Sequence, residues 1–223
     1  MTQLDLVVFD MIGTTIQASE NIPQAFITAF AGEGVHLTSK DVSSIRGKSK
    51  REAIRELLLV RAGEKVAKHR SDIVYAAFKD ELLKCYRDGP VTAIVGAEET
   101  FDWCRSRSIR TSLTTGFDHE LAAVLIDKLG WMELVDVLVC NDDVSAGRPA
   151  PDLILAAMNR LKMADVARVA SVGDTVSDLE AGANARTRWN IGVLSGAHSR
   201  EQLSAAPHTA LIDSVANLPV LFS

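Results

Sequence analysis

The sequence contains no apolar run approaching 18 residues, so no membrane-spanning helix and no membrane partner are expected. Its beginning has neither a basic stretch nor an apolar one, and Asp5 and Asp10 come early. No secretory signal is read there, and a cytoplasmic location is expected. Cysteine is scarce: Cys85, Cys104 and Cys140 are odd in number and lack metal-type spacing, as expected of reduced thiols. The five histidines form no pair at ligand spacing, which argues against a zinc site. Basic excess is also missing. Lys and Arg total 24 against 29 Asp and Glu, a net charge of -5, which argues against a general nucleic-acid partner. An anionic substrate is not excluded, because local charge decides that. What remains is 223 residues, 47% hydrophobic and 24% charged, without internal repeat or low-complexity tail. That length can bury a full α/β core and carry a smaller module.

The chain opens on Leu6-Val7-Val8-Phe9, a strand-forming apolar run that ends in Asp10 and turns through Met11-Ile12-Gly13-Thr14-Thr15. A buried parallel strand presents a reactive group in this way at its carboxyl end. The pattern then stays helical for roughly 75 residues. Helices are expected from Asn21-Ile22-Pro23 to Gly32, from Thr38 to Gly47, from Ser49 to Gly63, and from there to Asp88-Gly89-Pro90. From Val91 helix and strand alternate, the mark of a parallel sheet. Strands are expected at 109–114, 135–140, 168–173, 190–194 and 209–212. Helices are expected around Phe101, over 119–130, 151–163 and 177–185. The reading is α/β: a doubly wound, Rossmann-like parallel-sheet core made of 1–15 and 92–223, with an all-helical domain inserted at 16–91.

Three further stretches carry chemistry. Leu113-Thr114-Thr115-Gly116 places hydroxyls and a glycine just past a strand, where a hydroxyl and backbone N–H groups can hold a phosphoryl oxygen without adding charge. Gly147-Arg148-Pro149 holds a cation on a proline-stiffened loop. Gly173-Asp174-Thr175-Val176-Ser177-Asp178 puts two carboxylates four residues apart at a strand-to-helix junction, able to converge on a hard cation such as Mg²⁺. Taken singly, Asp174 reads equally as a helix N-cap and Asp178 as a favourable first-turn acid.

The four stretches in this order resemble the motifs of the haloacid dehalogenase-like hydrolases, and the resemblance covers essentially the whole chain. It implies that Asp10 is the nucleophile, usually toward phosphorus, and that the helical insertion is a cap domain. It implies phosphoryl contacts from Thr115 and the Gly116 amide, with Thr114 beside them. Mg²⁺ is then the cofactor, held by Asp10, the Ile12 carbonyl and Asp174, with Asp178 either a direct ligand or a partner of one. Most of the family has Lys where Arg148 stands. An Arg-Pro pair there resembles the phosphonatase branch, which cuts the carbon–phosphorus bond of phosphonoacetaldehyde.

Ile12 is the informative departure. Family phosphatases usually carry Asp two residues after the nucleophile to move protons, and isoleucine cannot do so. General acid–base help is worth roughly 10²–10⁴ in rate. Phosphonatases have a small apolar residue here and instead convert the aldehyde to a Schiff base on a cap lysine. Lys50, three residues past Gly47 in Arg46-Gly47-Lys48-Ser49-Lys50-Arg51, matches that lysine's place. Lys48 and Arg51 are the neighbouring cations that can lower its pKa. Dehalogenases also lack the proton-transferring Asp, but they lose the carboxylates represented here by Asp174 and Asp178. Against phosphonoacetaldehyde hydrolases stand Ala53 where His is common, Phe117 where Tyr is common, and an Ile12 bulkier than Ala. With Gly192-Val193-Leu194-Ser195-Gly196-Ala197-His198, these departures resemble a sister group, the phosphonatase-like hydrolases; His198 itself reads as a surface residue. Three functions stay open: hydrolase of a small phosphonate or phosphate, phosphatase or phosphotransferase, and non-catalytic phosphate-binding regulator. The protein is expected to be a monomer or homodimer.

Overall fold

The computed structural model describes residues 3–45 and 49–223. Arg46, Gly47 and Lys48 lie outside the described residues. The chain divides into two compact units, one of residues up to Ala18 with Val91–Ser223, the other Ser19–Pro90. The first boundary falls three residues later than the sequence pattern suggests. Ile16 bridges both Ile12 and Ala93, which ties this stretch to the sheet-bearing unit.

In chain order the elements are β1 (Leu6–Asp10), α1 (Asn21–Ala31), α2 (Ser39–Ser44), α3 (Lys50–Ala62), α4 (Glu64–Asp88), α5 (Ala97–Ser106), β2 (Arg110–Thr114) and α6 (His119–Leu129). Then follow β3 (Val137–Val139), α7 (Asp152–Arg160), β4 (Val169–Gly173), α8 (Val176–Ala185), β5 (Trp189–Val193), α9 (Arg200–Ser204), β6 (Ala210–Ile212) and α10 (Leu218–Leu221). The six strands form one parallel sheet in the order β3-β2-β1-β4-β5-β6. This is the doubly wound Rossmann-like arrangement, whose order reverses beside β1. Ligands in such sheets bind outside the carboxyl ends at that point. Asp10 ends β1 there, level with Thr114 of β2, and Asp174 follows β4.

Alternation along β1 covers both sheet faces. Leu6 and Val8 join Leu153, Ile154, Ala157 and Met158 of α7 and Ala181 of α8 in one apolar cluster. Phe9 points the other way, meeting Phe101 of α5 edge-on at 5.5 Å between ring centres. In the helical unit the α4 stripe Val74, Phe78 and Leu82 is fully buried, and Phe78 lies 4.5 Å from the Phe26 ring of α1. A capping box between Thr38 and Asp41 starts α2.

Two elements are shorter than the pattern predicts, and side chains explain the first. At β3 the Asp136 carboxylate takes the Thr111 N–H at one end, and Asp143 takes the Cys140 N–H at the other. These side chains replace ladder bonds. Helix α7 ends at Arg160 rather than 163, as the chain turns through Lys162 at φ 56°. Among the described residues no helix is long and apolar enough to cross a membrane.

Candidate active site

Asp10, Arg148, Asp174 and Asp178 come from three separate stretches and meet at the carboxyl ends of β1 and β4, all at least 93% buried. Ligand oxygens of the three aspartates lie within 4.8 Å of one another. Arg148 binds through one terminal nitrogen to Asp10 Oδ1 at 2.5 Å and Asp178 Oδ1 at 2.8 Å. Its other terminal nitrogen donates to Thr114 Oγ1 at 3.0 Å. The Thr114 hydroxyl donates in turn to the Phe9 carbonyl, which commits its single proton. Thr114 therefore orients Arg148 and has no proton left for a phosphoryl oxygen. Thr115 differs: its hydroxyl accepts the Phe117 N–H and keeps its own proton to donate.

The turn after Asp10 is built by its two threonines. Thr15 Oγ1 bonds the Asp10 and Met11 carbonyls, while Thr14 Oγ1 donates to Asp174 Oδ1 at 3.1 Å. Gly13 sits at φ 93°, a left-handed conformation that favours glycine, and its N–H donates to the Ile16 carbonyl. Asp178 doubles as a helix cap. Its Oδ2 accepts from the N–H and hydroxyl of Thr175, completing a capping box at the start of α8. This cap uses Oδ2, while Oδ1 faces Arg148.

Three carboxylates face one guanidinium, leaving two negative charges in excess. Like charges this close repel by about 3–4 kcal/mol per pair at an effective dielectric constant of about 20. The carboxyls respond accordingly. Burial, with Asp178 alongside, pushes Asp10 up to about 6 despite Arg148. Burial and the two neighbouring aspartates push Asp174 well above the ordinary range, with the Ala197 N–H and Thr14 hydroxyl pulling it back. Burial works against the Arg148 charge, but Asp10 and Asp178 hold the guanidinium protonated more firmly than usual. A hard dication carries the charge this donor set lacks, so the residues present fit Mg²⁺. A second grouping, His119, Cys140, Asp142 and Asp143, also brings ligand atoms together. There Asp143 is already engaged by Arg160 and by the His119 ring, and Arg160 offsets one of the two carboxylate charges.

Lys50 is the first residue of α3, half-buried beside buried Ser49. Arg51, one of the two cations expected to act on it, pairs with Asp72 at 2.9 Å and stacks on Tyr75. Sequence reasoning missed several contributors: Thr14, and the segment after β5. In that segment Ser195 Oγ donates to the Gly13 carbonyl at 2.8 Å and the Ala197 N–H to Asp174 Oδ2 at 2.6 Å. His198, expected at the surface, is half-buried, and its Nδ1 accepts the Val176 N–H at 2.9 Å. Nothing in the residue types at 192–198 announces these bonds.

Residues 4–186 match the family model described as haloacid dehalogenase-like hydrolase. Phosphonoacetaldehyde hydrolase of Parabacteroides distasonis is 27% identical, covering 98% of this chain and 96% of that one. The Bacillus cereus (strain AH187) enzyme of the same name is 31% identical over 87% of this chain and 77% of its own. A phosphonoacetaldehyde hydrolase-like protein from Oleispira antarctica has the same fold, with a TM-score of 0.82 at 24% identity over 98% of this chain and 91% of that one. With its motifs meeting at one sheet edge and its match to that family model, this chain belongs to the haloacid dehalogenase-like hydrolases.

Proposed function

We propose that the chain is a Mg²⁺-dependent hydrolase of a small phosphonate or phosphate, acting through an aspartyl phosphate on Asp10, with cleavage of a carbon–phosphorus bond favoured. One observation carries this preference: the buried nucleophile and its charged partners are intact, yet position 12 holds an isoleucine, which cannot protonate a departing alkoxide. The relatives named phosphonoacetaldehyde hydrolase support the same substrate class.

Asp10, the Ile12 carbonyl and Asp174 would hold Mg²⁺, with Asp178 alongside, and the bound ion supplies Lewis-acid polarisation of a phosphoryl oxygen. Arg148 aligns the Asp10 carboxylate and offsets charge growing on the transferring group. Thr115 and the Gly116 amide donate to the phosphoryl oxygens. Asp10 attacks phosphorus as the bond to carbon breaks. The electron pair leaves on carbon, into an iminium formed between the Lys50 amine and the substrate aldehyde with loss of water. Protonation of that carbon and hydrolysis of the imine release acetaldehyde and restore Lys50. A second water hydrolyses the Asp10 acyl phosphate, releasing phosphate and restoring the carboxylate.

The test is incubation with phosphonoacetaldehyde, with and without borohydride. The expected result is phosphate release, and a reduced adduct on Lys50 that Lys50→Arg does not form. No adduct and no phosphate, against turnover of a sugar phosphate, would replace this reading with an ordinary phosphatase. In that case Ile12→Asp should raise turnover.

A further inference from the structure

The segment Ser195–His198 follows β5 and belongs to none of the four motifs, yet it touches both ends of the constellation. Ala197 N–H donates to Asp174 Oδ2, while Thr14 donates to Oδ1 from the opposite side. The His198 N–H reaches the Asp174 carbonyl at 3.3 Å. Ser195 Oγ holds the Gly13 carbonyl, and the Gly13 N–H is held by Ile16. The peptides on both sides of Gly13 are thereby fixed. Because C=O and N–H oppose each other across a trans peptide, the bond from Gly13 N–H also fixes the direction of the Ile12 carbonyl. The His198 imidazole takes the Val176 N–H, an unpaired donor in the first turn of α8, the helix that carries Asp178.

Glycine at 196 supplies an independent argument. Its φ is not in the left-handed region, so its backbone would accept other residues. A Cβ there would instead collide with the carboxyl group and Cβ of Asp174. A Cβ at Gly13 would strike the same carboxylate. The Asp174 side chain thus lies between two glycines and accepts one hydrogen bond on each oxygen. A carboxylate offers about four lone-pair positions. Two are spent on orientation, and the rest remain for a cation.

We propose that Ser195–His198 is a positioning strap that sets the affinity of the site for its divalent cation, fixing Asp174 through Ala197 and Gly196 and the Ile12–Gly13 turn through Ser195. The proposal rests on the metal reading above, and the two fail separately. Loss of a partner that orients a metal ligand typically costs 10–100-fold in metal affinity. The experiment is Mn²⁺ titration of metal-free protein followed by electron paramagnetic resonance, at a temperature where melting in EDTA shows every variant folded. Gly196→Ala should weaken Mn²⁺ binding by about 10–100-fold. Ser195→Ala, which adds no bulk, should weaken it several-fold, and Ser195→Thr, which keeps the hydroxyl, should restore it. Should Gly196→Ala fail to fold, the serine pair decides. Wild-type affinity in Ser195→Ala and Gly196→Ala would overturn the strap while leaving the metal reading standing. No Mn²⁺ binding by the wild-type protein would overturn both.

Discussion

At the scale of single residues the site is a contest between like charges and one guanidinium. Asp10 is the informative group, because its folded carboxyl is raised from an ordinary 3.8 to about 6. A raised carboxyl binds its proton more tightly when folded. Its contribution to stability is therefore complete below about pH 4 and is lost as pH rises through about 6. Asp10→Asn should consequently melt higher than wild type near pH 7 without metal, and this advantage should close on acidification to about pH 4. Mg²⁺ should reverse the order, since it stabilises the folded state only where the carboxylates are ionised. The thermal shift it produces should grow from about pH 5 to about pH 7. Calorimetric melting with and without metal measures both effects, and a metal shift independent of pH would contradict the assignment. Asp10→Asn should also abolish turnover.

At the scale of elements, strand ends and helix starts do the positioning. Thr175 caps α8 and holds Asp178, so Thr175→Ala should cost about 1 kcal/mol, within a range of roughly 0.5–2. Denaturant unfolding checks it, and Thr175→Ser should recover most of the loss. The elements were legible because their signals are local: the run Leu6–Phe9 ending in Asp10, the stripe Val74, Phe78 and Leu82, and the glycines or prolines that stop helices. The four chemical stretches were legible through residue type and order. What was not legible is partnership across the chain. Nothing near Thr14 announces a bond to Asp174, 160 residues away. Thr114 and Thr115 look alike in sequence but differ in where the hydroxyl proton goes. Arg51 reads as a free cation until Asp72, on the next helix, is seen to pair with it. The shortening of β3 likewise depends on side chains that take over backbone bonds.

At the scale of the whole molecule, a net charge of -5 coexists with a site proposed to take an anion. The local arrangement resolves this, since a dication and Arg148 together would balance the three aspartates. The helical unit has its own packed interior around Phe26 and Phe78. Phe78→Ala should destabilise that unit by about 3–5 kcal/mol. Hydrogen exchange should show the loss confined to α1, α3 and α4, with β1 and β4 still protected; uniform deprotection of the sheet would show instead that the two units unfold together. The account depends most on Asp10 forming a covalent bond to phosphorus. Its most direct test is an acid-quenched single turnover with phosphonoacetaldehyde, and with p-nitrophenyl phosphate as a second phosphoryl donor, followed by peptide mass spectrometry. The account predicts a phosphoryl group on Asp10 that appears before free phosphate and is absent in Asp10→Asn; phosphate released with no adduct on Asp10 at any quench time would contradict it.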